Sequence, residues 1–268
     1  MSETQRLTTM KKILLSLLLP ATLPLAAYTS TNVAGQTGLI ATPTARINWE
    51  GDNSNAALTA GYTYFNNGNT FHVPQVNVAL FDRFEVGGAF NAADGTNNND
   101  FLVHSKLRFS PWSGRGNSAL AIGGSYQNLN SSPSTTAGQF YLAATYEAQF
   151  FGMEADTSVV IGKTFGSQTR NGDLDFSMGF DLNFFPSVFN GYVRWLNELA
   201  NYDFLHYSGR FGGNAPTAAA TRGAFNTGLR IPVLKSMSTV KFDITVKMTD
   251  ALDDERGFGA GAVFGARF

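Results

Sequence analysis

Side chains able to do acid–base or nucleophilic chemistry are few in this sequence and poorly spaced for it. There are three histidines, His72, His104 and His206, and no cysteine among 268 residues. His104 is followed directly by Ser105, but neighbours on a strand point to opposite faces, so a base and its nucleophile cannot meet there. Asp203 and His206 lie close in sequence without the further acidic residues a hydrolytic site would need. Asp250, Asp253, Asp254 and Glu255 read as a solvated loop rather than a cation site, and neither a phosphate-cradling glycine loop nor a metal-ligand cluster is present. The lack of cysteine excludes thiolate metal sites, thiol catalysis and disulfides together. The expectation is a protein that is not an enzyme and carries no metal or cofactor.

Charged residues do fall into a pattern, but one set by geometry. An acidic group comprises Glu147, Glu154, Asp156, Asp173, Asp175 and Asp181; a basic group comprises Lys106, Arg108, Arg194, Arg230, Lys241, Lys247 and Arg267. Most of them alternate with large apolar residues. The cleanest run sets Leu174, Phe176, Met178, Phe180, Leu182 and Phe184 against Asp173, Asp175, Ser177, Gly179, Asp181 and Asn183. Period two means strand. If the strands close in order, the acidic arc faces the basic arc across an interior, where the field would orient charged or dipolar solutes. The alternative is a lattice of ion pairs that fills and stiffens that interior.

The elements that must carry these side chains recur along the whole chain. Apolar residues mark one face at Leu58 to Tyr64, Val76 to Leu80, Phe84 to Phe90, Phe101 to Phe109, Leu120 to Tyr126, Phe140 to Tyr146 and Ala155 to Ile161. After Leu174 to Phe184 come Phe189 to Trp195, Phe225 to Ile231, Val240 to Val246 and Phe258 to Phe268. That makes about twelve strands. Links alternate between short ones, as at Asp82 and Pro186, and longer polar ones, the longest being Asn197 to Thr221. Charged residues are only 15%, glycines number 28 and aromatics are 13%, while mean hydropathy is −0.09. Low charge without high hydropathy is what strands with one lipid face and one wet face produce. A helical membrane protein would need apolar runs of ~20 residues, and none exists. A soluble sandwich would not bury so many Asp, Lys and Arg.

The expected fold is therefore all-β: a transmembrane antiparallel β-barrel of about twelve strands in a bacterial outer membrane, since strands in lipid must close to pair every backbone group. Residues 1–27 read as a cleaved signal peptide, with Lys11 and Lys12 before a short apolar run and translation starting at Met10. Residues 55–268 form the barrel. Phe264 and the terminal Phe268 resemble the C-terminal signal read by the barrel-assembly machinery. The remaining partners expected are outer-membrane lipid and lipopolysaccharide; a net charge of −1 gives no case for nucleic acid.

Residues 28–54 precede the alternation, and Pro43 makes them a poor central strand. Two placements are open: a turn capping the periplasmic rim, or a plug inside the barrel with Arg46 paired to a wall carboxylate. The run Gly38-Leu39-Ile40-Ala41-Thr42-Pro43-Thr44-Ala45-Arg46 resembles the opening motif of the YjbH-like outer-membrane proteins, and Asp100 to Phe109 followed by Ala119 to Tyr126 is similar to early strands of that family. The resemblance covers about residues 37 to 126 and implies a role in exopolysaccharide production or export. The residues alone equally allow a small diffusion channel for polar solutes, or a structural or adhesive surface protein acting through the longest loop.

Overall fold

The structure, a computed structural model, describes residues 29–49, 55–95, 99–109, 118–130, 135–166, 174–201, 204–205, 223–234, 239–252 and 256–268. The expected signal segment, Asp173, Asp203 and His206 lie outside the described residues.

Twelve strands form one closed antiparallel barrel. In order they are β1 (Ala56–Asn66), β2 (Thr70–Leu80), β3 (Phe84–Ala93), β4 (Asn99–Phe109), β5 (Ala119–Leu129), β6 (Thr135–Phe150), β7 (Met153–Gly166), β8 (Asp175–Asn183), β9 (Arg194–Ala200), β10 (Ala224–Pro232), β11 (Val240–Thr249) and β12 (Gly257–Arg267). Each pairs with its sequence neighbours, and β12 returns to β1 with Phe264 opposite Ala60 and Arg267 opposite Ala57. Closure removes the unpaired edges that lipid would not tolerate.

Alternation sorts the wall. Along β1 the burial pattern swaps at nearly every residue, with Leu58, Tyr62 and Tyr64 exposed and Thr59 and Thr63 buried. The same parity exposes Phe176 and Met178 on β8 and Phe258 and Phe264 on β12. Exposed apolar side chains around the outside and buried polar ones within are the inverse of a soluble protein, and give the outer face its lipid-compatible belt.

Connections depart from the expected short–long alternation. At the end that carries both termini, Phe81 and Asp82 (φ 53° and 54°) close β2–β3, and Phe151 and Gly152 (φ 51° and 75°) close β6–β7. Two successive left-handed residues suit a tight hairpin between twisted strands. The same end also carries the longer stretch 184–193, whereas β1–β2 at the opposite end spans only 67–69. What distinguishes the far end is the single long connection, residues 201–223.

Phe189, expected on the outward face of the ninth strand, instead ends a one-turn helix, α1 (Pro186–Phe189), flanked by left-handed Phe185 and Asn190. Proline at the first helical position breaks the alternation there. The strand begins later, at Arg194, and runs on to Ala200 through what reads as the start of the longest loop.

Candidate functional site

The bore is occupied. Every residue from Thr29 to Trp49 is buried, and its contacts reach inward side chains on nearly the whole circle of strands. This segment is a plug rather than a cap on the rim.

Its own shape comes from short-range bonds. Thr31 bridges Thr37, and Gly38 bridges Pro43; Leu39 N–H donates to the Thr42 carbonyl at 2.9 Å and Val33 N–H to that of Ile40 at 2.9 Å. The Asn32 carboxamide donates to the Ala41 carbonyl at 2.8 Å while its oxygen accepts from Ala34 N–H. Position 38 needs glycine, because a Cβ there would lie 2.3 Å from the Thr42 carbonyl. Pro43, with no N–H to contribute, sits where the turn asks for none.

The wall grips the turn of that plug from two sides. Glu198 on β9 accepts the N–H groups of Ile40 (3.2 Å), Ala41 (2.9 Å) and Thr42 (2.9 Å), so three successive amides converge on one carboxylate. Such a nest is an anion site made of backbone. Asn226 on β10 donates to the same carboxylate at 2.7 Å. Arg230, also on β10, donates to the carbonyls of Gly38 (2.9 Å) and Leu39 (3.2 Å). Wall acid takes plug N–H, and wall base takes plug C=O. Thr42 also meets Ser177 of β8 hydroxyl to hydroxyl.

Further anchors surround this clamp. Glu85 on β3 accepts from the Thr37 N–H (2.8 Å) and hydroxyl (2.5 Å), and lies 3.3 Å from the Lys106 ammonium on β4, which donates to the Thr37 carbonyl. Arg46 pairs with Asp156 of β7 at 2.9 Å and lies 3.9 Å from Glu147. Asn77 on β2 donates to the Gly35 carbonyl at 2.8 Å. Lys241 on β11 donates to the Thr29 carbonyl at 2.8 Å, bonds the Asn48 side chain, and lies 4.6 Å from the Trp49 ring centre.

Acidic and basic groups do not stand as two arcs facing across open space. Asp181 on β8 holds Arg194 of β9 at 2.6 Å and Arg230 at 2.9 Å, so carboxylate and guanidinium neighbour each other along the wall. Asp175 is buried beside Gln139 and Thr164. Glu154 and Arg108 are only half-buried, as is Arg267 at the barrel end. Lys247 reaches toward the Thr63 hydroxyl at 3.4 Å. Two buried acids, Glu198 and Asp243, fall among strands expected to be basic, and a third, Glu85, stands on β3 beside Lys106. Glu198 shares inward parity with Arg194 and Leu196, which was the signal available for it. The pattern that results is a lattice of ion pairs completed by the plug.

At the C-terminus Phe264 faces outward, and Phe268 N–H donates to the Ala56 carbonyl at 2.8 Å, joining the last residue to the first strand. Among the described residues no group of three or more His, Cys, Asp and Glu could hold a metal.

No protein-family model and no curated protein matches the sequence. Among solved structures the chain is similar to the KdgM porin in complex with disordered oligogalacturonate, with a TM-score of 0.50 and 10% identity, covering 78% of this chain and 99% of that one. It is similar to the KdgM porin alone at a TM-score of 0.50 and 9% identity, with the same coverage of 78% and 99%. The outer-membrane protein Omp33 of Acinetobacter baumannii aligns at a TM-score of 0.44 and 9% identity over 82% of this chain and 100% of that one. The fold is that of the bacterial outer-membrane porins, and a closed barrel with an apolar belt belongs in that membrane.

Proposed function

We propose that the protein is a non-enzymatic outer-membrane barrel, sealed at rest by its own residues 29–49, that serves exopolysaccharide production or export rather than free diffusion of solutes. The observation that carries this reading is the clamp of Glu198 and Arg230 on the turn from Gly38 to Thr42. A wall built around a bound segment argues against a permanently open pore. The tie to polysaccharide rests on sequence: the nine residues from Gly38 to Arg46 that resemble the YjbH-like motif are the ones the wall grips. A motif used to fill a bore gives that resemblance a physical meaning.

A second reading is a small channel for polar solutes that conducts when the plug leaves. Buried Lys106, Arg230, Lys241, Asp181 and Glu198 favour it, because a bore meant only to be stiff could be filled with apolar side chains.

Two measurements separate the readings. Cells lacking the gene are expected to secrete less polysaccharide than their parent, and the pure folded protein is expected to be silent in planar bilayers. Unchanged polysaccharide with steady conductance would replace the first reading by the second.

A further inference from the structure

Asp243 on β11 is an inner-wall carboxylate that the resting protein leaves without a task. The residue is fully buried, and both its oxygens lack a hydrogen-bond partner among the described residues. Its cross-strand neighbours on the inner face are Pro232 of β10 and Val263 of β12, which carry no polar side chain. A carboxylate taken out of water is costly unless donors replace the water. A second arrangement of the bore, in which donors reach it, accounts for an acid kept at that cost.

Among the described residues two cations adjoin Asp243 on the inner face, and the plug holds both. Lys241 is two residues back on β11, about 7 Å away along the strand. Its ammonium donates to the Thr29 carbonyl at 2.8 Å, bonds the Asn48 side chain and lies over the Trp49 ring. Arg230 on β10 pairs with Thr245, while Pro232 pairs with Asp243, so Arg230 is the diagonal neighbour of Asp243 at about 7 Å. Its Nη2 donates to the plug carbonyls of Gly38 and Leu39 and its Nη1 to Asp181, while its Nε is buried without a partner. Both side chains are long enough to meet a carboxylate at that separation, and both are drawn away by bonds to residues 29–49.

The shape of the plug lets those bonds break in order. Its two ends meet at the rim that carries the termini, where the Trp49 N–H donates to the Thr29 hydroxyl at 3.2 Å and the Trp49 ring lies against Gly265 of β12. Lys241 holds these ends, and Arg230 holds the turn at Gly38 and Leu39. Withdrawal toward the rim therefore frees both cations.

We propose that Asp243 is the counter-charge of the open barrel: when residues 29–49 leave the bore, Lys241 and Arg230 exchange their plug carbonyls for this carboxylate. The inference rests on the reading of residues 29–49 as a removable seal. Plug and Asp243 compete for the same two cations, so bonds lost on release are regained on the wall, and the barrel has two discrete arrangements. Asp181 keeps its bond to Arg230 in both, so the guanidinium pivots rather than drifts.

The test compares four full-length folded proteins, wild type, Asp243→Asn, Glu198→Ala and Glu198→Ala/Asp243→Asn, by open probability in planar bilayers and by the rate of trypsin cleavage after Arg46. Glu198→Ala loosens the plug while leaving both cations in place. Against that background Asp243→Asn should lower both readings about tenfold or more, the factor that one hydrogen bond to a charged group is worth. Asparagine keeps the shape of the side chain, so a role in packing alone would leave both readings unchanged. Equal opening of Glu198→Ala with and without Asp243 would overturn the exchange, as would faster cleavage in the double variant. A Glu198→Ala protein as silent and as resistant as wild type would overturn the seal itself, and the exchange with it.

Discussion

Glu198 on β9 and Asp243 on β11 are both buried carboxylates on the inner wall, two strands apart, and their surroundings are opposites. Glu198 accepts three plug amides and the Asn226 carboxamide. Both oxygens of Asp243 are buried with no hydrogen-bond partner among the described residues. A carboxylate removed from water is costly unless donors replace the water. On the β8–β10 side donors replace the water around two carboxylates, with Asp181 holding two arginines and Glu198 holding the turn. Beyond β11 the inner wall is packed rather than bonded: a Cβ on Gly257, Gly259, Gly261 or Gly265 of β12 would lie within 2.7 Å of Phe65, Thr63 or Trp49. The difference teaches that the plug is bonded most fully to the β8–β10 arc, whereas on β11 Lys241 holds it and on β12 Gly265 packs against Trp49, so release is expected to begin on the β11–β12 side.

Removing the stronger contact gives the largest expected effect. Glu198→Ala strands three plug N–H groups in a dry bore and is expected to cost about 3–5 kcal/mol, the scale of breaking a buried charged contact. The readout is trypsin cleavage after Arg46, which is buried in the resting protein, together with conductance in planar bilayers. Cleavage and conductance should both rise. A variant as silent and as resistant as wild type would dissolve the contrast between the two arcs.

Asp181→Asn comes next, because Arg194 and Arg230 share that carboxylate. Charge lost there leaves two guanidinium groups imperfectly paired, at a cost of about 3 kcal/mol. Arg230 then holds the plug carbonyls less firmly. The midpoint of the heat-modifiable gel shift should fall, and trypsin should again find Arg46, more slowly than in Glu198→Ala.

Gly179→Ala is smaller and purely steric. A Cβ at Gly179 would stand 2.2 Å from the Asn197 carbonyl and 2.6 Å from Leu39 Cδ1. Overpacking of that kind costs about 1–3 kcal/mol. The wall between β8 and β9 yields first, so the thermal midpoint should drop without any gain in conductance.

Much of this could be read from the residues alone, and what could not shares one cause. Alternation in Leu174 to Phe184 and Phe258 to Phe268 marks β8 and β12 and tells which side chains enter the bore. Glu198 escaped because Asn197 interrupts the outward run between Trp195 and Leu199, and Asn-Glu-Leu-Ala-Asn looks like a loop. Phe189 misled in the opposite sense, having the right spacing for a strand while Pro186 turns the chain. The two charge arcs failed as a picture for a deeper reason. Parity fixes the direction of a side chain but not its partner, and most partners here belong to residues 29–49, far away in sequence.

The smallest effect has the opposite sign and tests the weaker arc directly. Asp243→Asn removes a carboxyl group whose charged form no donor among the described residues offsets, while keeping the shape of the side chain. Its neutral amide is easier to bury than a lone carboxylate, so the barrel should gain about 1 kcal/mol. The thermal midpoint of the gel shift should rise slightly, and the Arg46 cut should stay as slow as in wild type, because Asp243 makes no hydrogen bond to the described residues of the plug. A fall in stability would mean that Asp243 has a donor in the membrane-embedded protein. In that case the β11 arc is held as firmly as β9, and the plug has no weaker side from which to leave.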